Sequence, residues 1–301
     1  MSPPGQNSSW GLSNRLSRII KPKDGRTVML AVDHGYFLGP IRGLENPRRT
    51  INPLLPYVDA VMLTRGILRT SIDPETDVPV VLRVSGGNTI DGPVLGNEEI
   101  VTAVDDAIRL NVSALAFSIY VGTEFEHQTL KALARLVDAG ERYGIPILAV
   151  TAVGRELEKR TAKYIGLACR VAAELGAHFI KTYYTEDFHR VVDSVPVPLV
   201  IAGGPKLETD LDVLQLAYNA VSEGAAGIDF GRNVFQNPNP IGMIKALRGI
   251  VHEGLTPNEA LELLKPEKIV ANGGSELSHG CVGTTSNRPM TQAGDSQAPS
   301  T

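Results

Sequence analysis

Cysteine is scarce in this 301-residue chain: Cys169 and Cys281 are the only two. That count offers no disulfide framework and suits a reducing compartment. Cys169 falls in an apolar helical pattern, which predicts a packed thiol, and Cys281 falls in a polar stretch. No apolar run approaches the ~20 residues a membrane span needs, and Met1 to Trp10 lacks the basic and apolar regions of a secretory signal. A cytoplasmic protein without membrane contact is expected. The six histidines, His34, His127, His178, His189, His252 and His279, show no close pairing, and no paired-cysteine motif occurs, so no metal is expected. A Gly-x-Gly-x-x-Gly turn and a serine-nucleophile elbow are also missing, which argues against a bound dinucleotide and a serine hydrolase. The net charge of −4 supplies no basic field for nucleic acid.

What the chain has instead is repetition. From Val28 to about Gly254 the same sequence of features recurs: a short β-rich apolar run, a loop with Gly, Asp or Asn, and a longer segment of helical spacing. The strands are predicted at 28–33, 60–64, 80–84, 114–120, 147–151, 178–183, 199–202 and 227–230, with helical segments at 97–110, 124–143, 157–175 and 208–223 between them. Eight such units predict an α/β fold, a closed (β/α)8 TIM barrel, with an open doubly wound sheet as the alternative. The weakest repeat is the one around Arg65 to Thr70. Residues 1–22 read as an N-terminal extension holding a short helix from Trp10, 23–265 as the barrel, and 266–301 as a disordered tail. Thr256, Pro257 and Glu259 form a capping box with proline at the first helical position, starting a terminal helix.

One residue breaks the pattern of its strand. Lys181 lies inside Phe179-Ile180-Lys181-Thr182-Tyr183, and a period of two puts it on the same face as Phe179 and Tyr183. Burial disfavours a charged lysine and leaves an amine able to attack a carbonyl. The strand alone admits two readings: a Schiff-base lysine, or an edge lysine that reaches solvent or pairs with a carboxylate.

In a barrel, reactive groups collect where strands end. Asp33, His34 and Gly35 follow the first strand and are also ordinary turn residues. Gly203 and Gly204 follow the seventh strand, and Gly231 and Arg232 the eighth, the loops where such barrels frequently hold phosphate. Gly86, Gly87 and Asn88 suggest a lid. A reactive amine beside a phosphate site points to a phosphorylated ketone as substrate.

The runs TVMLAVDHGY at 27–36, LTRGILR at 63–69, IKTYY at 180–184, VIAGG at 200–204 and GRNVFQ at 231–236 together resemble the archaeal-type class I aldolase family. The resemblance extends from about Trp10 to Leu264. It implies Lys181 as the Schiff-base lysine, Asp33 as the first-strand acid, and Gly203, Gly204, Gly231 and Arg232 as phosphate loops. His34 and Tyr183 become candidates for orienting substrate or water. The family's aldolases carry a tyrosine near the end of strand five as proton donor, where this chain reads LAVTAVG at 148–154. That departure shifts the expectation from aldol cleavage toward the family's thiolase branch, with coenzyme A as co-substrate and no bound cofactor. The resemblance further implies a homo-oligomer, a decameric ring. A sugar-phosphate aldolase, and a non-catalytic sugar-phosphate sensor, are the alternatives.

Overall fold

The computed structural model describes residues 9–152 and 160–264. Eight strands, β1 (Thr27–Ala31), β2 (Ala60–Thr64), β3 (Val80–Arg83), β4 (Ala114–Ile119), β5 (Ile147–Thr151), β6 (Phe179–Thr182), β7 (Leu199–Ala202) and β8 (Gly227–Phe230), coincide with the eight predicted runs. They close in the order β1-β8-β7-β6-β5-β4-β3-β2, parallel at every seam, so the TIM barrel is formed and the open sheet is not. The predicted tail lies outside the described residues.

Alternation along the strands builds two cores. Met29, Met62, Val81, Ala116, Leu148, Phe179 and Val200 point into the barrel, while Leu30, Leu63, Leu82, Phe117, Ile180, Ile201 and Phe230 face the helices. Small alanines at 60, 114 and 116 leave room inside for the larger side chains. The segment expected as an N-terminal extension is a helix, Trp10–Ile19, capped by the Ser9 hydroxyl. Its Ile19 is fully buried against the inward residues, with Leu16 and Ile20 beside it. This helix therefore belongs to the barrel's packing.

The helix expected at 97–110 starts only at Val104. Ahead of it Glu99–Ile100 pairs antiparallel with Ser85–Gly86, and Glu98 turns inward, because these residues serve the loop over the barrel mouth. The helix expected at 157–175 spans Ala162–Glu174 under a Thr161 cap; residues 157–159 lie outside the described residues. The weak repeat is filled by a helix, Arg65–Ser71. Both predicted features at the C-terminal end hold: the Thr256 and Glu259 side chains bond each other's backbone N–H, and the helix covers Pro257–Glu262.

Candidate active site

A cavity of about 180 Å³ opens at the C-terminal ends of the strands, lined by Asp33, His34, Lys181, Tyr183, Gly203, Gly204, Gly231 and Arg232. All eight residues singled out in the sequence meet there. Among the described residues, no group of three or more His, Cys, Asp or Glu converges as metal ligands.

Lys181, 8% exposed, is the third residue of β6 and lies inside the barrel. Its Nζ donates to Asp229 Oδ2 at 2.6 Å and lies 3.7 Å from Met62 Sδ. The lysine has the carboxylate partner that the second reading allowed, but it is interior rather than on an edge, because the barrel closes on both sides of β6. Met62, Lys181 and Asp229 come from β2, β6 and β8, alternate strands that share one interior layer. Asp229 is buried, and its Oδ1 has no hydrogen-bond donor. Burial pushes its carboxyl above the usual range, against the pull of Lys181.

Asp33 lies two residues past β1, with Arg83 Nε 2.5 Å from its Oδ2. Burial acts to raise its pKa, but Arg83 and Lys181 prevail and hold it below the ordinary value, so Asp33 is a carboxylate. His34 Nδ1 stands 4.0 Å from Asp33 Oδ1 and has no hydrogen-bond partner. The ring packs edge-on to Phe235. Burial, helped by Lys181, Arg232 and Arg83, brings its pKa down to about 4 despite Asp33. At neutral pH it is an uncharged imidazole.

The glycine loops form the adjoining rim. Arg232 Nη2 donates to Gly204 O at 2.9 Å, and Asn233 Nδ2 to Gly203 O at 2.8 Å, so the two loops hold each other. A Cβ at Gly231 would come 2.5 Å from Ala31 O, which leaves only glycine room for this approach. Arg160 stacks on Tyr183 at 3.6 Å from the ring centroid. The Nε atoms of both Arg160 and Arg232 are buried without partners. Two guanidinium groups with free donors beside open backbone suit a phosphate dianion.

A model of the DeoC/LacD family aldolases matches residues 27–237, the span that carries every strand and every side chain just described. The chain belongs to the DeoC/LacD aldolase family. Among relatives of this DeoC/LacD protein, the 3-hydroxy-5-phosphonooxypentane-2,4-dione thiolase of Enterobacter sp. (strain 638) is 52% identical over 86% of this chain and 87% of its own. The protein of the same name from Photorhabdus laumondii subsp. laumondii is 50% identical over 86% and 88%. An archaeal fructose-1,6-bisphosphate aldolase, solved with its catalytic Lys covalently bound to the carbinolamine intermediate, superposes with a TM-score of 0.72. It is 28% identical, over 80% of this chain and 99% of that one.

This family member also places in the cavity several residues that the sequence reading passed over, Asp229, Arg83, Glu98, Tyr36 and Tyr120, and sets Arg160 against the ring of Tyr183, which lines it. Asp229 and Arg83 carried the signal that exposed Lys181, a lone charge within a strand. Cys169 is buried, as its pattern predicted, and burial pushes its thiol up to about 12 despite hydrogen bonds from Thr182 and Thr151.

Proposed function

We propose that this DeoC/LacD protein is a Schiff-base thiolase that transfers the acetyl group of 3-hydroxy-5-phosphonooxypentane-2,4-dione to coenzyme A, a step of autoinducer-2 breakdown. The Enterobacter and Photorhabdus relatives, at 52% and 50% identity, bear that name. The observation that carries the chemistry is the interior Lys181 amine, 2.6 Å from a buried carboxylate with an unfilled oxygen, in one cavity with the two phosphate-type loops.

In this reading Arg232, Arg160 and the N–H groups around Gly203, Gly204 and Gly231 hold the phosphate. Lys181 passes a proton to Asp229, attacks the ketone next to the phosphate-bearing carbon and, with loss of water, forms an iminium ion. The thiolate of coenzyme A adds to the acetyl carbonyl. Collapse of that adduct breaks the carbon–carbon bond, and its electron pair moves into the iminium to give an enamine. Protonation at carbon and hydrolysis release dihydroxyacetone phosphate and free Lys181. Asp33, held ionised by Arg83, stabilises the iminium charge, and neutral His34 with Tyr183 orients substrate and water. Strand β5 carries no phenol, which favours thiolysis over aldol cleavage because no group there serves the proton transfers of an aldol step. The reading includes a homo-oligomer working in the cytoplasm, its size measurable by light scattering.

The test is acetyl-CoA formation from the phosphorylated diketone, with fructose 1,6-bisphosphate cleavage run beside it. Wild-type protein should form acetyl-CoA, and Lys181→Met should lose both turnover and borohydride trapping of the imine. Cleavage of the bisphosphate without thiolysis would make the protein an aldolase instead.

A further inference from the structure

The wall that faces the phosphate loops carries a second ionisable cluster. In the closed order of strands, β3 and β4 stand across the barrel from β7 and β8. A substrate with its phosphate at Gly204 and Arg232 and its imine at Lys181 therefore extends its acetyl end toward Arg83 of β3 and Ser118 of β4. Glu98 lies there, 1% exposed. Its Oε1 accepts from Tyr36 OH at 2.7 Å and from Tyr120 OH at 2.9 Å.

Much of the local structure serves to hold this carboxylate. The Glu99–Ile100 ladder on Ser85–Gly86 brings the chain back over the mouth. Glu98 N donates to Gly96 O at 2.7 Å, and Gln128 from the helix Glu126–Tyr143 donates to Glu98 O at 2.9 Å. Gly96, at φ +127°, lets the backbone pass the Tyr120 ring, which a Cβ would meet at 3.1 Å.

Neutralising Arg83 does not account for it. Arg83 Nε is already bonded to Asp33 at 2.5 Å and its Nη1 to Ser118 Oγ at 2.6 Å and Ser85 Oγ at 2.8 Å. Glu98 Oε2 lies 3.7 Å from Nη1 and has no hydrogen-bond donor. Inside the cavity Lys181 and Arg83 face three carboxylates, Asp33, Asp229 and Glu98. The interior thus has more proton-accepting groups than cations, while Arg160 and Arg232 are matched by the phosphate itself. The phenols between Glu98 and the cavity are neutral: burial raises both, and Glu98 raises them further. Both line the cavity, and Tyr36, only half-buried, is the more open of the two.

Resting on the thiolase reading, we propose that Tyr36 and Glu98 form the proton relay that activates the acetyl-accepting thiol. The S–H bond breaks toward the Tyr36 oxygen while the phenol's proton moves to Glu98, and the new S–C bond forms at the acetyl carbonyl. After the carbon–carbon bond breaks, the same proton returns through Tyr36 to the enamine carbon. Each cycle ends with Glu98 ionised and consumes no oxidant or reductant.

The experiment follows the pH dependence of acetyl-CoA formation in wild type, Glu98→Gln and Tyr36→Phe, beside borohydride trapping of the Lys181 imine with dihydroxyacetone phosphate. The groups facing Glu98 are Tyr36, Tyr120 and Arg83, with Asp33 behind Arg83 and only the amide of Gln128 from the neighbouring helix. Both variants should lose about 100-fold in kcat near pH 7. They should then gain about tenfold per pH unit up to the thiol's own pKa near 8.5, as free thiolate replaces the relay. Trapping should stay within about twofold of wild type. Trapping that falls in parallel with thiolysis, or a pH profile parallel to wild type, would overturn the relay alone. Wild-type protein that traps the imine yet forms no acetyl-CoA would overturn the thiolase reading, and the relay with it.

Discussion

Lys181 and Asp229 meet at 2.6 Å across β7, a buried pair with one carboxylate oxygen still without a donor. Burial raises the pKa of Asp229, so the carboxyl can take the lysine proton and give it back when the carbinolamine sheds water. Asp229→Asn keeps the shape and removes the proton acceptor. We expect kcat to fall about 100-fold with the KM of the phosphorylated substrate within about threefold. Steady-state kinetics checks both; an unchanged kcat would remove Asp229 from the mechanism.

In the proposed function two arginines share the phosphate. Arg232 is tied to the Gly204 carbonyl at 2.9 Å and Arg160 to the Tyr183 ring, and each keeps its Nε unpaired. A charge-assisted hydrogen bond is worth about 1.5–3 kcal/mol. Arg232→Ala should therefore raise KM by about 10- to 100-fold while kcat at saturation changes little. Arg160→Ala should act in the same direction, and Tyr183→Leu, which removes only the stacking surface, less strongly.

The strands were legible because eight apolar runs of strand length each end in turn residues, and Lys181 because it is a lone charge inside one of them. The same rule, applied to VVLR and GIDF, would have found Arg83 and Asp229. Three of the groups that meet in the barrel are thus lone charges of interior strands. Glu98 was not legible. It lies in a polar stretch whose spacing reads as the start of a helix, and only pairing of Glu99–Ile100 with Ser85–Gly86 turns it inward. Arg160 also depends on a tertiary contact, the ring of Tyr183, that no local pattern announces.

Gly231 sits where β8 passes closest to the loop after β1. Its φ is negative, at −120°, so the demand is for space rather than for left-handed geometry. A Cβ would come 2.5 Å from the Ala31 carbonyl and 2.4 Å from His34 Cε1. The imidazole can turn aside, but the strand carbonyl moves only with its ladder. Gly231→Ala should lower stability by about 1–3 kcal/mol in urea melts. It should also raise KM, because His34 is pushed into the cavity.

At the other end of the barrel, ahead of β2, Asp59 gathers His252, Arg248 and the Val28 N–H at 2.7, 3.0 and 2.8 Å, and His252 also bonds Asp24 at 2.7 Å. Burial opposes the charged imidazole, but the two carboxylates prevail and raise the His252 pKa above its ordinary value. A histidine whose pKa is raised by folding adds stability that is complete below its unfolded pKa of about 6.5 and lost as pH climbs through the folded value. Asp59 and Asp24, both held below the usual range, stay ionised throughout that window. His252→Gln, which keeps a neutral donor, should cost about 1–3 kcal/mol at pH 6, and the gap should narrow toward pH 9. Melts of both proteins across that range test the sign. Because the network lies at the face away from Lys181, kcat at a temperature where both proteins are folded should not change.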